Sequence, residues 1–280
     1  MAHVTVVRDE EAMSVAAAER ITSLIEAATV ARGTAVVSLA GGRSPQRLYE
    51  LLADPGHPWR ARIDWTRVHV YWGDERHVPP DHPDSNFGMA NRALIKHLPI
   101  PPTHIHRMRG EIPAVDAGLE YDALLRRRGL RRRGQTPVMG RLNPLSRVVA
   151  GSDPIHCFDV MLLGIGANAH IASIFPESPL LMAGREGPPY AVGRPFTGRH
   201  DELASGIWVP KLNQWRITMT PPALLDSENI LVIAAGTEKA DAIAAAINAP
   251  EDVARYPAQL LRTAGDRVEW IIDQDAASRL

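Results

Sequence analysis

A chain of 280 residues, 45% of them hydrophobic, can bury a sizeable core, which excludes a disordered or fibrous protein. Its 31 lysines and arginines against 32 aspartates and glutamates leave a formal charge of -1, so no global field draws in nucleic acid or a membrane surface, and any anion site must be local. The single cysteine, Cys157, excludes an internal disulfide framework or a multi-cysteine metal cage; with no apolar run of about 18 residues and no secretory pattern in MAHVTVVRDEEAM, a cytoplasmic protein is expected.

Alanine-rich Glu10 to Val30, with Met13, Ala17, Ile21, Leu24 and Ile25 at helical spacing, predicts a long amphipathic helix. Thr34 to Leu39 predicts a strand ending in AGGRSP, after which Pro45 opens a helix over Gln46 to Ala53, because proline is tolerated in a first helical turn. Strand, glycine loop and helix in that order offer free amides and a positive dipole end to a phosphate; the same pattern also serves as a plain strand-to-helix turn. Trp65 to Trp72, alternating and rich in valine and aromatics, predicts another strand. It runs into GDERHVPPDHPDSNFG, a charged loop on the same rim as the glycine loop, and then a helix from about Asn86 to His97. His69, His77, His82, His104 and His106 lack a helical HExxH spacing or a partner cysteine, so no metal site is predicted from them.

Val115 to Leu125 predicts a helix. Arg126, Arg127, Arg128, Arg131, Arg132 and Arg133 then form a self-repelling run, read as a solvated helix end entering a flexible insertion, about residues 126–153; an acidic or nucleic-acid partner is the alternative. Phe158 to Leu163 is a nearly continuous apolar run, the pattern of a strand buried on both faces of a parallel sheet, with Cys157 at its start expected in the core. Gly164 and Gly166 break the run, and His170 follows, where open α/β sheets bind their ligands; local packing or capping by the histidine is the plainer reading. Glu177 to His200, irregular and rich in proline and glycine, reads as a covering loop. Ile207 to Pro210 leads to Lys211. Trp215 to Thr220 reads as a strand carrying Arg216, Pro221 to Leu225 as a short helix, and Ile230 to Ala234 as a strand. Gly236 begins a turn, Glu238 to Ile247 forms a helix, and Val268 to Ile272 makes the last strand. Strands alternating with helices throughout predict a single α/β domain over residues 1–280, its mainly parallel sheet flanked by helices.

Four stretches stand in this order: SLAGGRSPQRLYELL (Ser38 to Leu52), VYWGDERHVPPDHPDSNFGMA (Val70 to Ala90), FDVMLLGIGANAHIASIFP (Phe158 to Pro176) and PKLNQWRITMTPPAL (Pro210 to Leu224). Together they resemble the 6-phosphogluconolactonase family, whose Rossmann-like fold is shared with glucosamine-6-phosphate deaminase; about Arg126 to Asp153 and Glu186 to Glu202 lack an obvious counterpart. The resemblance implies a carboxylic ester hydrolase that opens the δ-lactone of 6-phosphogluconate in the oxidative pentose phosphate route, with neither metal nor other cofactor. The expected partner is a small sugar phosphate, with no nucleic acid and no membrane, met by a monomer or small homo-oligomer. His170 matches the family's histidine and would take a proton from the attacking water. Gly41, Gly42, Arg43 and Ser44 match the phosphate loop, with Arg76, Lys211 and Arg216 as cationic partners. Asp74 matches the loop acid that would orient the sugar hydroxyls or the water.

Two departures bear on chemistry. The family's Gly-x-Gly-x-Asp-Gly-His ends here in Asn168, Ala169 and His170. A carboxylate beside a catalytic imidazole orients it and stabilises the imidazolium, whereas asparagine only orients it, so a catalytically weakened sugar-phosphate-binding homologue is the alternative reading. Ala169 adds a methyl that could displace the loop, and Ala40 stands where the family often has serine. The deaminase branch carries a glutamate five residues after the histidine, where this chain has Phe175. GIGANA fits G-x-G-x-x-A, but a proline-rich loop follows instead of the acid-ended strand of a dinucleotide site.

Overall fold

The computed structural model describes residues 3–127, 158–181 and 202–280. Cys157, Arg128 to Arg133 and most of the expected covering loop lie outside these. The chain begins with β1 (His3–Val7), unforeseen because it is short and half exposed, and continues into α1 (Glu10–Arg32). Asp9 caps α1 by accepting the Ala12 amide at 2.8 Å, Glu10 and Glu11 sit in its positively polarised first turn, and Gly33 ends it at φ +78. Next come β2 (Ala35–Leu39), α2 (Arg43–Ala53), α3 (Pro58–Arg62), β3 (Val68–Trp72), β4 (Asp74–Arg76), α4 (Asn86–Ala93) and α5 (Ala114–Arg127). After them follow β5 (Phe158–Leu163), β6 (Ala204–Val209), β7 (Gln214–Met219), α6 (Pro221–Leu225), β8 (Ser227–Ala234), α7 (Ala240–Ile247) and β9 (Val268–Asp273). Three expected elements are shorter because tight 3-10 turns take their ends: Trp65–Arg67 before β3, Ile95–His97 after α4, and Thr237–Lys239 before α7.

Six strands form a parallel sheet in the order β1-β9-β8-β5-β2-β3. Met161 and Leu163 of β5 pack on one face with α5, α7 and the β6–β7 hairpin, while Val160 and Leu162 pack on the other with α1, α2 and α4. That two-sided burial is why β5 is apolar without alternation. Its one charged residue, Asp159, accepts the Val36 amide at 2.7 Å and pairs with Arg32, tying the end of α1 to β2 and β5; burial pushes its carboxyl above the usual range. The sheet is parallel as expected, but β4, β7 and β6 form a second, antiparallel sheet of their own. The strand alternation was legible; the pairing was not, because β4 is three charged residues long and acquires its partner only when the hairpin folds over it. Among the described residues no helix is long and apolar enough to cross a membrane.

Chain order runs outward from β2 to β3 and, on the other side, from β5 to β8 and β9. The direction therefore changes between β2 and β5, and a crevice opens there beyond their carboxyl ends. The glycine loop, the GDER loop and the histidine loop all leave the sheet at this edge.

Candidate active site

After Leu163 the chain turns tightly: the Ala169 amide donates to the Gly166 carbonyl at 2.8 Å, and the Gly166 amide to the His170 carbonyl at 2.9 Å. This folds the imidazole back over Gly166, where a Cβ would lie 1.9 Å from the ring's Cε1, so the second glycine of the motif is required by close approach. The ring stacks on Phe175, with centroids 4.2 Å apart, and its Nδ1 lies 2.5 Å from Oδ1 of Asn168. An amide oxygen can only accept; Nδ1 therefore carries the proton and Nε2 the lone pair. Burial lowers the pKa of His170 to about 4; Asp74 opposes the shift, while Lys239, Arg76 and Arg216 add to it. The imidazole is neutral at physiological pH. Ala169 is fully buried at φ +61, a left-handed conformation in which an alanine costs roughly 1 kcal/mol, and its methyl packs into the core around β5.

Asp74 opens β4, separated from β3 by Gly73 alone. Its Oδ2 accepts from the Ser173 hydroxyl at 2.6 Å and its Oδ1 from the Asn86 side-chain amide at 3.2 Å, which fixes the carboxylate on the histidine-loop side of β4. Glu75, 2% exposed, accepts from the backbone amides of Arg76, Asn86 and Phe87 and from the Ser85 hydroxyl. Burial raises its pKa against the pull of those amides. The buried carboxylate thus pins the start of α4 to β4.

Arg76 and Arg216 stand directly opposite each other in the β4–β7 ladder. Arg216 is 8% exposed, and burial, with the like charge of Arg76, lowers its guanidinium pKa. Neither forms an ion pair with a carboxylate among the described residues; Arg216 donates to Gln214 Oε1 and the Trp215 carbonyl, and Arg76 to the Asp84 carbonyl. Two facing cations with no direct ion-pair partner among the described residues, though Asp74, Asp84 and Glu75 lie close enough to act on Arg216, make a local anion site in a chain of nearly zero net charge.

The glycine loop lies across the crevice. Gly42, at φ +106, caps α2 without a side-chain hydrogen bond, which leaves first-turn amides for an anion. Gly41, Gly42, Arg43 and Ser44 line a cleft of about 420 Å³ with Gly164, Ile165, Gly236 and Lys239. Arg43 reaches Glu238 at 3.6 Å and Ser44 reaches Glu10 at 3.3 Å, both near the surface. The expected single rim is therefore two neighbouring groups: the glycine loop with Lys239, and the Arg76–Arg216 pair beside His170 and Asp74. Lys211 belongs to neither, being exposed in the Pro210–Leu212 turn at the tip of the β6–β7 hairpin. Sequence reasoning missed Lys239, Asn86 and Ser173. Lys239 had a local signal, a glycine turn straight after the apolar strand β8; the other two lay within quoted motifs but gain their meaning from distant partners. Of the remaining histidines, His69 and His106 hydrogen-bond each other at 3.2 Å, and His104 stacks on His69.

Residues 8–270 match the family model described as glucosamine-6-phosphate isomerases/6-phosphogluconolactonase. The chain belongs to this family. It is 35% identical over 262 residues to the 6-phosphogluconolactonase of Synechocystis sp., covering 93% of this chain and 90% of that one. To the 6-phosphogluconolactonase of Streptomyces coelicolor it is 33% identical over 273 residues, covering 98% and 92%. The solved 6-phosphogluconolactonase of Trypanosoma brucei superposes with a TM-score of 0.75 at 25% identity, covering 100% of this chain and 99% of that one. A monomeric glucosamine-6-phosphate deaminase, at 19% identity and a TM-score of 0.71, shares the fold. In this chain the histidine loop closes its turn with Asn168 and Ala169 in place: the asparagine orients the ring, and the alanine occupies the left-handed position.

Proposed function

We propose that this chain hydrolyses 6-phospho-D-glucono-1,5-lactone to 6-phosphogluconate, with His170 as the base. The observation that carries the assignment is the placement of the His170 imidazole, its Nδ1 on Asn168 Oδ1 and its Nε2 left to accept, with Asp74, Arg76 and Arg216 close by; burial favours its neutral form. Water attacks the lactone carbonyl as Nε2 takes its proton. The tetrahedral oxyanion collapses by breaking the bond to the ring oxygen, which recovers the proton from the imidazolium and becomes a hydroxyl. Asp74, held by Ser173 and Asn86, orients the attacking water or the sugar hydroxyls. The first-turn amides around Gly41 to Ser44, with Lys239, and the neighbouring Arg76 and Arg216 take the phosphate. The near-zero net charge supports a small sugar phosphate as partner rather than nucleic acid or a membrane surface, the single cysteine fits a reducing, cytoplasmic setting, and we read the chain as one domain.

Because the lactone also opens unaided, the test compares enzyme with blank at mildly acidic pH, where the blank is slow, in the presence of a chelator. Faster opening is expected. A rate equal to the blank at micromolar enzyme would falsify the assignment. One observation favours a second reading, a homologue that binds the sugar phosphate without turnover: the residue on His170 Nδ1 is a neutral amide and supplies no counter-charge to an imidazolium. Tight 6-phosphogluconate binding with no acceleration would select it.

A further inference from the structure

Asn86 opens α4, far along the chain from the glycine loop, yet its side chain lies between that loop and Asp74. The residue is 3% exposed. Its Nδ2 donates to the Asp74 carbonyl at 2.9 Å and to Asp74 Oδ1 at 3.2 Å, and its backbone amide donates to Glu75 Oε1 at 2.7 Å. The side chain is therefore held at both ends. Its third contact is steric. An ideal Cβ on Gly41 would fall 1.9 Å from Asn86 Oδ1 and 2.4 Å from its Cγ, far inside van der Waals contact. Gly41 does not have the positive φ of Gly42, so its backbone would accept an alanine; the Asn86 amide forbids one. That amide cannot swing aside without giving up its bonds to Asp74.

We propose that Asn86 is a positioning residue for Asp74, and that glycine is needed at 41 to leave room for it. On this account the two glycines of the loop do different work. Gly42 shapes the end of α2 that faces the anion, whereas Gly41 makes space for the amide that aims a carboxylate across the crevice. Ser173 holds Oδ2 and Asn86 holds Oδ1, so losing either bond frees the carboxylate to rotate. The kinetic readout rests on the lactonase reading above, in which Asp74 faces substrate or water, and misplacing such a group by about 1 Å can cost roughly a hundredfold in rate.

The experiment compares wild type, Asn86→Ala, Gly41→Ala and the double variant by kcat and KM for the lactone, by titration with 6-phosphogluconate and by thermal melting. Each single substitution is expected to lower kcat about tenfold or more, and in Asn86→Ala, which lies outside the phosphate loop, KM and product affinity stay within about threefold. In the double variant Gly41→Ala should cost nothing further, because alanine at 86 vacates the space the new methyl needs. Wild-type kcat in Asn86→Ala, or a Gly41→Ala penalty of equal size in both backgrounds, overturns the proposal, as does a loss confined to KM. Should Asn86→Ala not fold, Asn86→Asp keeps the shape and the backbone contacts but cannot donate to a carboxylate, and the same fall in kcat is expected; wild-type kcat there overturns the proposal equally. A wild type no faster than the blank sinks the lactonase reading alone. The coupling is then read from melting: Gly41→Ala lowers Tm in the presence of Asn86 and not in the Asn86→Ala background, and additive losses overturn it.

Discussion

The imidazole of His170 sits between a glycine that leaves it room and a phenylalanine that shields it from water, and that environment sets its chemistry more than its neighbour in the chain does. Burial favours the neutral form, so the group is ready to accept a proton well below the usual imidazole range. The expected consequence is a kcat/KM profile whose acid limb lies near pH 4 rather than at the ordinary value of about 6.5. Because the base must be unprotonated, activity is present above that limb and lost as the pH falls through it. Asn168→Asp places a negative charge on Nδ1, which favours the imidazolium: the limb should move upward and the turnover number at neutral pH should rise, with little change in 6-phosphogluconate affinity. His170→Ala should remove most activity in either background. Ala169 bears on the result, since its methyl anchors the loop in a left-handed conformation that glycine adopts without strain; Asn168→Asp combined with Ala169→Gly tests whether a new carboxylate can meet the ring. A limb near pH 6.5 that neither variant moves, together with an active His170→Ala, would remove His170 from the role of base and bring Asp74 forward.

At the level of elements, the short ladder between β4 and β7 holds two arginines face to face across antiparallel strands. Like charges directly opposite each other destabilise a sheet by up to about 1 kcal/mol, and here one of them is largely desolvated. The fold keeps this pair because β4 leaves β3 at the crevice and the β6–β7 hairpin closes over it, which places both guanidinium groups beside Asp74 and His170. Replacing Arg76 should therefore separate stability from binding. Arg76→Ala is expected to melt one or two degrees higher than wild type without ligand, for a relief of roughly 0.5 kcal/mol. It should also bind 6-phosphogluconate more weakly by about 2 kcal/mol, because a charge-assisted hydrogen bond to phosphate is lost. Melting with and without 6-phosphogluconate reads both effects in one series, since bound ligand raises Tm by mass action. If Arg76→Ala melts lower and binds as tightly as wild type, the pair is structural and the phosphate sits elsewhere.

Over the whole molecule, a net charge of -1 supplies no long-range attraction for a doubly charged sugar phosphate. Capture then depends on cations within contact distance, at Lys239, Arg76 and Arg216, and on the amides at the start of α2. Salt screens exposed charges over roughly 8 Å at physiological ionic strength but weakens half-buried contacts much less. Raising salt from roughly 20 to 200 mM should lower kcat/KM by only a few fold, chiefly through KM, with kcat unchanged. A steep, many-fold loss would mean that a broad surface field steers the substrate, and the arginine run from Arg126 to Arg133 would be the first place to look for it.

The apolar run from Phe158 to Leu163 by itself determined that β5 is buried on both faces, and the glycines that follow determined that a loop carrying His170 leaves the sheet's carboxyl edge. Both are local facts: a period, a break and a residue type are readable within a few positions. The same holds for α1, for the glycine loop before α2, and for Arg216 on a strand. Tertiary structure alone decided which groups meet. Ser173 and Asp74 are 99 residues apart in the chain and 2.6 Å apart in the fold; Asn86 finds Gly41 through the packing of α4 against α2; and Phe175 covers His170 because the loop doubles back. Lys211 and Lys239 show the same division. Both are lysines near a strand end, but the first is carried outward on a hairpin tip and the second is turned into the crevice by Gly236, because the β6–β7 pairing and the order of the parallel strands, neither written in local periodicity, set where each strand end points.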